Sequence, residues 1–418
     1  MTTATFILVL VVVVALAFDF TNGFHDTGNA MAASIATGAL APKRAVALSA
    51  VLNFVGALLS VQVALTVSNA VVNIQDSKGL PKTELMANGG TMLLLIVLGG
   101  LVGGIIWNLL TWLLGLPSSS SHALLGGLVG GTIGAMGFAG VKWAGDGSKL
   151  DGVIGKVLLP SLLSPVIALI VSAVATRLIY LVTATIEEKF RERRFRYGQV
   201  GAASLVSLAH GTNDGQKTMG VITLALVAGG SISSSGVYVP LWVKLAAAAA
   251  IALGTYLGGW RIIHTMGRGL VDIQAPQGLA ADASSATVIL ASSQLGFALS
   301  TTHVANGSIM GVGVGRKGAS VRWGVALRMA LAWAITFPAA ALMGAIMYWI
   351  GSVIPGMGGP LVVVAILVAL SYYIWLRSRR NVVDASNVTD AWHDGSKPEV
   401  AVVAHDVVVE PQQPQPTH

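Results

Sequence analysis

Four polar clusters interrupt an otherwise apolar chain. "GFHDTGN" (Gly23 to Asn29) brings His25, Asp26 and Asn29 together, with Asp19 and Asn22 just ahead of it. "PSSSSHALLGG" (Pro117 to Gly127) sets Ser119, Ser120 and Ser121 beside His122. "AHGTNDGQKTMGV" (Ala209 to Val221) carries His210, Asn213, Asp214 and Lys217, and "ALSTTHVANGS" (Ala298 to Ser308) sets Ser300, Thr301 and Thr302 beside His303. Hydroxyls at a helix start cap the free N–H groups. Those N–H groups, with the helix dipole, also form a site for an oxyanion. Carboxylates and amide carbonyls are oxygen ligands for hard cations such as Na⁺, Mg²⁺ or Ca²⁺. A carboxylate in a low-dielectric site can equally hold a proton. Anion and cation chemistry side by side suits the joint passage of an anion with a coupling cation.

Each cluster alone has a plainer explanation. Serine and threonine also pack membrane helices closely or bond back to carbonyls. Lys217 falls three residues after Asp214 on one helix face, where an ion pair forms readily. The histidines can relay protons or simply satisfy buried hydrogen bonds. What favours function is repetition. Gly23 and Asp26 match Gly211 and Asp214, and Ser119 to His122 match Ser300 to His303, in the same order in each half. If the halves enter the membrane from opposite sides, they form an inverted-topology repeat, the architecture of secondary transporters, with substrate near the midplane on discontinuous helices. Two hydroxyl-bearing helix starts would then wrap a tetrahedral anion from both sides. A carboxylate nearby favours hydrogen phosphate, which has a P–OH to donate, over sulfate, which has none at neutral pH.

The elements that must position these residues are membrane helices. Of 418 residues, 54% are hydrophobic and only 10% charged, with a mean hydropathy of +0.75. A soluble domain carries about 25% charged residues, and several runs approach the roughly 20 apolar residues that cross a bilayer. The expected fold is an all-α polytopic membrane protein of about ten transmembrane segments, near 4–36, 45–70, 90–115, 118–139, 156–186, 200–230, 238–259, 285–315, 322–350 and 360–376. The segment 285–315 is polar in its middle and reads as a re-entrant hairpin, which needs protein or a cavity to cover its backbone. The expected units are a first membrane repeat (1–186), a basic linker (187–199), an inverted second repeat (200–376) and a disordered tail (377–418) too polar to form a core.

Basic residues concentrate at Lys43, Arg44, 189–196, Arg316, Lys317 and Arg377–Arg380, and are sparser in the alternate loops. The positive-inside rule therefore puts the N-terminus outside and the C-terminus in the cytoplasm. The net charge of +7 lies mostly in these loops and reads as topology, not as a nucleic-acid footprint. The chain has no cysteine, which excludes disulfides and thiolate metal sites. The stripe "GGLVGGTIG" (Gly126 to Gly134) suits a homodimer contact or internal packing equally.

Taken together, "GFHDTGN" and "GTNDGQK", with "GLPSSSSHALLGG" and "STTHV", resemble the PiT-type inorganic phosphate transporter family, whose repeated signature is G-[A/F]-[N/H]-D-x-x-N. The resemblance spans roughly residues 4–376. It implies a non-enzymatic secondary transporter that imports inorganic phosphate across a bacterial plasma membrane by cation symport, with no permanently bound cofactor. It implies that Asp26, Asn29, Ser120, Ser121, Asp214, Thr301 and Thr302 form the site for phosphate and its cations, with Asn213 and His25 at matching motif positions. Asp26, Asp214 and His25 are the candidates for cation or proton coupling, and Asp26 and Asp214 for contact with a metal ion. The departure is Lys217, where many members, especially sodium-coupled ones, carry asparagine. The chain is thus more similar to the proton-coupled bacterial branch, which carries phosphate as a neutral complex with Mg²⁺ or Ca²⁺.

Three alternatives remain open: sodium coupling, a sulfate transporter of the same superfamily, and a passive anion channel. A hydrolase built on Ser120 or Ser121, His122 and Asp26 is disfavoured, because Ser121 and His122 are adjacent and no strand–turn–helix elbow presents the serine.

Overall fold

Apolar runs of this length bury themselves either in lipid or against one another, and here they do both. The computed structural model describes residues 2–61, 64, 82, 85–145, 152–233, 238–294 and 299–392. Its elements are helices: α1 (Thr3–Ala36), α2 (Pro42–Leu59), α3 (Ala87–Leu113), α4 (Ser120–Met136), α5 (Leu159–Val182), α6 (Glu188–Ala228), α7 (Leu241–Leu257), α8 (Trp260–His264), α9 (Ala275–Gln294), α10 (Thr301–Gly315), α11 (Trp323–Val353) and α12 (Gly358–Ser378). A π-helical turn leads into α5 and another follows α8. An isolated antiparallel bridge joins Val271 to Val321. The chain is an all-α polytopic membrane protein.

Six of these helices are long and apolar enough to cross a bilayer, or seven if α7 and the bent segment Trp260–Gly269 form one broken span. The expected ten also counted 118–139, 200–230 and 285–315. The first of these is α4, whose 17 residues reach only about 25 Å, short of the roughly 30 Å hydrocarbon core. It returns beside α3 after a tight turn in which Gly115 is left-handed (φ 65°). Segment 285–315 likewise divides into α9 and α10, which pack on each other. Segment 200–230 is the apolar half of α6, and most of the chain from 60 to 70 lies outside the described residues.

The N-terminal half of α1 shows Val9 and Val13 outward, at 51% and 58% exposure, whereas from Thr21 to Ile35 every residue is buried. A helix buried on all sides can hold polar groups away from lipid. The glycine stripe of α4, which suits a dimer contact or internal packing by sequence, packs internally at Gly126, Gly127 and Gly130. Gly127 lies against the Gly100 backbone of α3, and Gly126 and Gly130 against Phe337 and Ala341 of α11. A Cβ on Gly130 would stand 1.8 Å from the Ala341 carbonyl oxygen. Gly130→Ala is therefore expected to force α4 and α11 apart and cost at least about 1–3 kcal/mol, the usual penalty of overpacking. Thermal unfolding in detergent reads this directly. An unchanged midpoint would mean that the two helices are not this close.

Two expected boundaries move. The basic segment 187–199 is not a separate linker but the first turns of α6, which runs unbroken for 41 residues. Glu187/Arg191 and Glu192/Arg196 place opposite charges at helical spacing in the sequence. Buried Gln199 then docks the helix, accepting from Thr37 Oγ1 (2.8 Å) and donating to Asp282 (3.2 Å). The tail expected from residue 377 begins inside the fold. Arg377 and Ser378 end α12, Arg261 donates to the carbonyls of Ser378 and Asn381, Val388 is buried, and Trp392 packs on Gly269. Trp392 and Val388 supply the apolar anchors that the segment's overall polarity conceals. The remainder, 393–418, lies outside the described residues.

Candidate functional site

The four polar clusters meet at one place inside the bundle. Two long helices, α1 and α6, carry the acids. Two short ones, α4 and α10, begin there. The glycine of each acidic motif is what brings its helix close to a neighbour. A Cβ on Gly23 would stand 2.2 Å from the Ile251 carbonyl oxygen of α7, and one on Gly211 would stand 2.3 Å from that of Asn53 on α2.

The short helices start alike. Ser119 caps α4 by accepting from the backbone N–H of His122 (3.2 Å), and Ser300 caps α10 by accepting from that of His303 (3.3 Å). The next hydroxyl in each cluster donates to an acid: Ser120 to Asp26 Oδ1 (3.0 Å) and Thr301 to Asp214 Oδ2 (3.2 Å). The third is held from the other half of the chain. Asn29 Nδ2 donates to Thr302 Oγ1 (3.0 Å) and more weakly to Thr301 (3.3 Å), while the Lys217 ammonium donates to Ser121 Oγ (2.5 Å). Lys217 also forms an ion pair with Asp214, and Ser121 donates to the same carboxylate at 3.4 Å. Asn29 and Lys217, at matching motif positions, thus do the same job on opposite sides.

His25 Nδ1 lies 2.7 Å from Asp26 Oδ1, and its Nε2 reaches Thr111 Oγ1 (3.1 Å) and Ser118 Oγ (3.3 Å). Asn213 turns away from the acids and donates to the carbonyl of Leu299 (3.4 Å), just before the α10 cap. Asp26, Asn29, Ser120, Ser121, Asp214, Lys217, Thr301 and Thr302 are therefore brought together. His25 adjoins them, and Asn213 supports a neighbouring turn. All are buried, Asp26 and Asp214 at 2% and 1% exposure.

The hydrolase geometry is absent. His122 Nε2 bonds to Ser161 Oγ (3.0 Å), and the ring packs edge-on against His303, 4.9 Å between centroids. Neither ring touches an acid of the site among the described contacts. Both brace the starts of the short helices.

One residue that the motif matching leaves out of the site stands at its centre. His210 Nε2 is 3.0 Å from Asp214 Oδ2 and 3.7 Å from Asp26 Oδ2. Ligand atoms of Asp26, His210 and Asp214 all fall within 4.8 Å of one another. The surrounding bonds fix the tautomer. Thr255 Oγ1 donates to the Ile251 carbonyl and so accepts from Asn53 Nδ2 (2.9 Å). That turns Asn53 Oδ1 toward His210 Nδ1 (3.1 Å), which must be the donor. Nε2 is then left facing two carboxylates, at ion-pair distance from Asp214 Oδ2 when it carries a proton. A neutral imidazole with a free lone pair beside two carboxylates is a ligand set for a metal cation, and with a proton on Nε2 it becomes a cation itself. The available signal in the sequence was position. His210 precedes Gly211 as Asn22 precedes Gly23, one turn before each acid.

The chain also resembles known proteins. The sequence profile described as the phosphate transporter family matches the chain twice, over residues 22–191 and 182–344. A "probable low-affinity inorganic phosphate transporter" of Mycobacterium bovis is 56% identical over 387 residues, covering 93% of this chain and 88% of that protein. One of the same description from Bacillus subtilis is 40% identical over 342 residues, covering 82% and 96%. A solved structure described as "the sodium-dependent phosphate transporter" shares the fold, with a TM-score of 0.72 at 23% identity, over 84% of this chain and 100% of that one.

Proposed function

The chain belongs to the phosphate transporter family, and from that premise we propose that it imports inorganic phosphate by symport with a cation across a bacterial plasma membrane, N-terminus outside. The reading takes residues 1–186 and 200–376 as two inverted repeats with one shared site. Proton coupling, with phosphate carried as a neutral complex with Mg²⁺ or Ca²⁺, is the form the residues favour.

The observation that carries this is the meeting of two hydroxyl-headed helix starts with two acids and one lysine. The capped ends of α4 and α10 offer backbone N–H groups and the positive ends of two helix dipoles to an oxyanion. Ser120, Ser121, Thr301 and Thr302 supply hydroxyl donors to it, Asn29 an amide and Lys217 a charge. With His210 neutral, the two carboxylates and one ammonium leave the site one negative charge in excess, so a bare phosphate dianion is repelled. A dianion that arrives with a divalent metal is neutral, and the cluster of Asp26, His210 and Asp214 suits the metal. His210 Nε2, aimed at both acids, suits a positive charge between them, either a metal ion or a proton on the ring itself. Lys217 supports proton over sodium coupling, because its ammonium already occupies the Asp214 oxygen that a sodium ion in that half would take.

Uptake of radiolabelled phosphate into proteoliposomes tests the proposal, with pH and sodium gradients imposed separately, with and without Mg²⁺. Uptake is expected to follow the pH gradient, to require Mg²⁺, to ignore sodium and to resist competition by sulfate. Uptake that follows sodium would keep phosphate transport and overturn the coupling. Sulfate competing equally would overturn the substrate.

A further inference from the structure

Asp19 stands on α1 two turns before Asp26 and belongs to none of the contacts above. It is completely buried, and neither carboxylate oxygen has a hydrogen-bond partner. Asn22 and Thr218 are the polar side chains beside it, and Asn22 Oδ1 and Thr218 Oγ1 are likewise buried without partners. On α3, Gly104 faces Phe18 and Thr111 bonds His25, so α3 runs alongside α1 in a register that sets Asn108 level with Asn22. Both amide atoms of Asn108 are buried without partners too. Neutral groups, the hydroxyl of Thr218 and the amide of Asn22, therefore lie beside a carboxyl group that has no hydrogen-bond partner.

The charged groups that face Asp19 are Asp214 and His210 of α6, and it makes no hydrogen bond or ion pair to either. Lys217 of the same helix is turned to Asp214 and Ser121. Helix α3 has no titratable side chain. On α7, Tyr256 is exposed and Lys244 partly so, and on α2, Lys43 and Arg44 are exposed. Asp282 of α9 is taken up by Ser34 and Gln199 at the other end of α1.

Packing does not require an acid here. Matching Gly23 to Gly211 puts Ser207 at the corresponding place in the second half, and the Ser207 hydroxyl has acceptors for its proton in Ser49 Oγ (3.0 Å) and the Ala203 carbonyl (3.1 Å). An ionised carboxylate with no counter-ion and no hydrogen bond formed in such a place is costly. A metal cation would need a shell of about six oxygens. A proton needs one acceptor, and Asn22 Oδ1 or Thr218 Oγ1 provides it.

We propose that Asp19 carries the coupling proton. It takes a proton from the outer solution to become the neutral acid, O–H donated to Asn22 or Thr218, and returns to carboxylate by releasing that proton to the cytoplasm. This rests on the phosphate-import reading and divides its labour: Asp26, His210 and Asp214 hold the cargo's metal, and Asp19 supplies the drive.

Asp19→Asn keeps the shape and removes the titrating group. In proteoliposomes loaded with Mg²⁺ and phosphate, the variant is expected to retain phosphate counterflow. Its accumulation driven by a pH gradient should fall to the level of protein-free vesicles. Asp19→Ser, copying Ser207, replaces it if the asparagine variant does not fold. Accumulation that follows the pH gradient as in the parent would overturn the assignment. So would parental uptake driven by sodium at constant pH and lost in the variant, which would make Asp19 a metal-cation ligand. A parent that takes up no phosphate under any gradient would instead sink the transport reading itself.

Discussion

Asp26→Asn is expected to lower gradient-driven phosphate uptake on the order of 100-fold, about 2.7 kcal/mol at 1.36 kcal/mol per tenfold, while the protein remains folded. The reason is local. Asp26 accepts from Ser120 at the start of α4, lies 2.7 Å from His25 and faces His210 Nε2 at 3.7 Å. Its charge therefore both fixes the end of α4 and completes the cation cluster. Asparagine keeps the volume and one acceptor oxygen, so the buried packing around α1 is retained. It cannot supply the second negative charge that a divalent metal needs. Uptake in proteoliposomes and the unfolding midpoint in detergent, measured on the same preparation, separate the two effects. A folded variant with full gradient-driven uptake would remove Asp26 from the coupling site.

The second large effect is expected from Lys217→Met. The Lys217–Asp214 pair is buried, with Lys217 at 3% exposure. Removing one partner of a buried pair leaves an uncompensated charge, at a cost of roughly 3–5 kcal/mol. The single variant should therefore unfold well below the parent and take up no phosphate. In the double variant Lys217→Met/Asp214→Asn the orphaned charge is gone. Most of the stability should return while uptake stays absent, because both a ligand of the cation cluster and a cation facing the anion are lost. Thermal unfolding and uptake on the parent and the two variants check this. A single variant as stable as the parent would show that the buried Asp214 carboxylate does not depend on Lys217 for its counter-charge. A double variant that transports would take both residues out of the site.

These two effects depend on different kinds of information. Composition and periodicity determined that the chain is a bundle of membrane helices, because no other arrangement satisfies the backbone of long apolar runs in lipid. The repeated clusters determined which residues would share a site. Asp26 with Ser120 and Asp214 with Thr301 are matched pairs, and matched positions in a duplicated chain tend to take matched contacts. The family was legible for the same reason: "GFHDTGN", "GTNDGQK" and the two hydroxyl runs are local signatures.

What spacing cannot encode is which side chain turns toward which. Asn213 shares the motif yet bonds the Leu299 backbone, whereas His210, outside the matched motif, faces both acids because Asn53, itself held by Thr255, fixes its ring from another helix. The continuity of α6 through its basic segment was hidden, since charge marks a topological boundary but not a break in hydrogen bonding. The docking of Trp392 on Gly269 was hidden in a polar tail. Asp19 was visible as an acid on the face of Asp26 and Asn22. Only the packed helices decide that it stands buried without a partner, because burial and hydrogen-bond satisfaction belong to the neighbours a residue meets and not to its own stretch of chain.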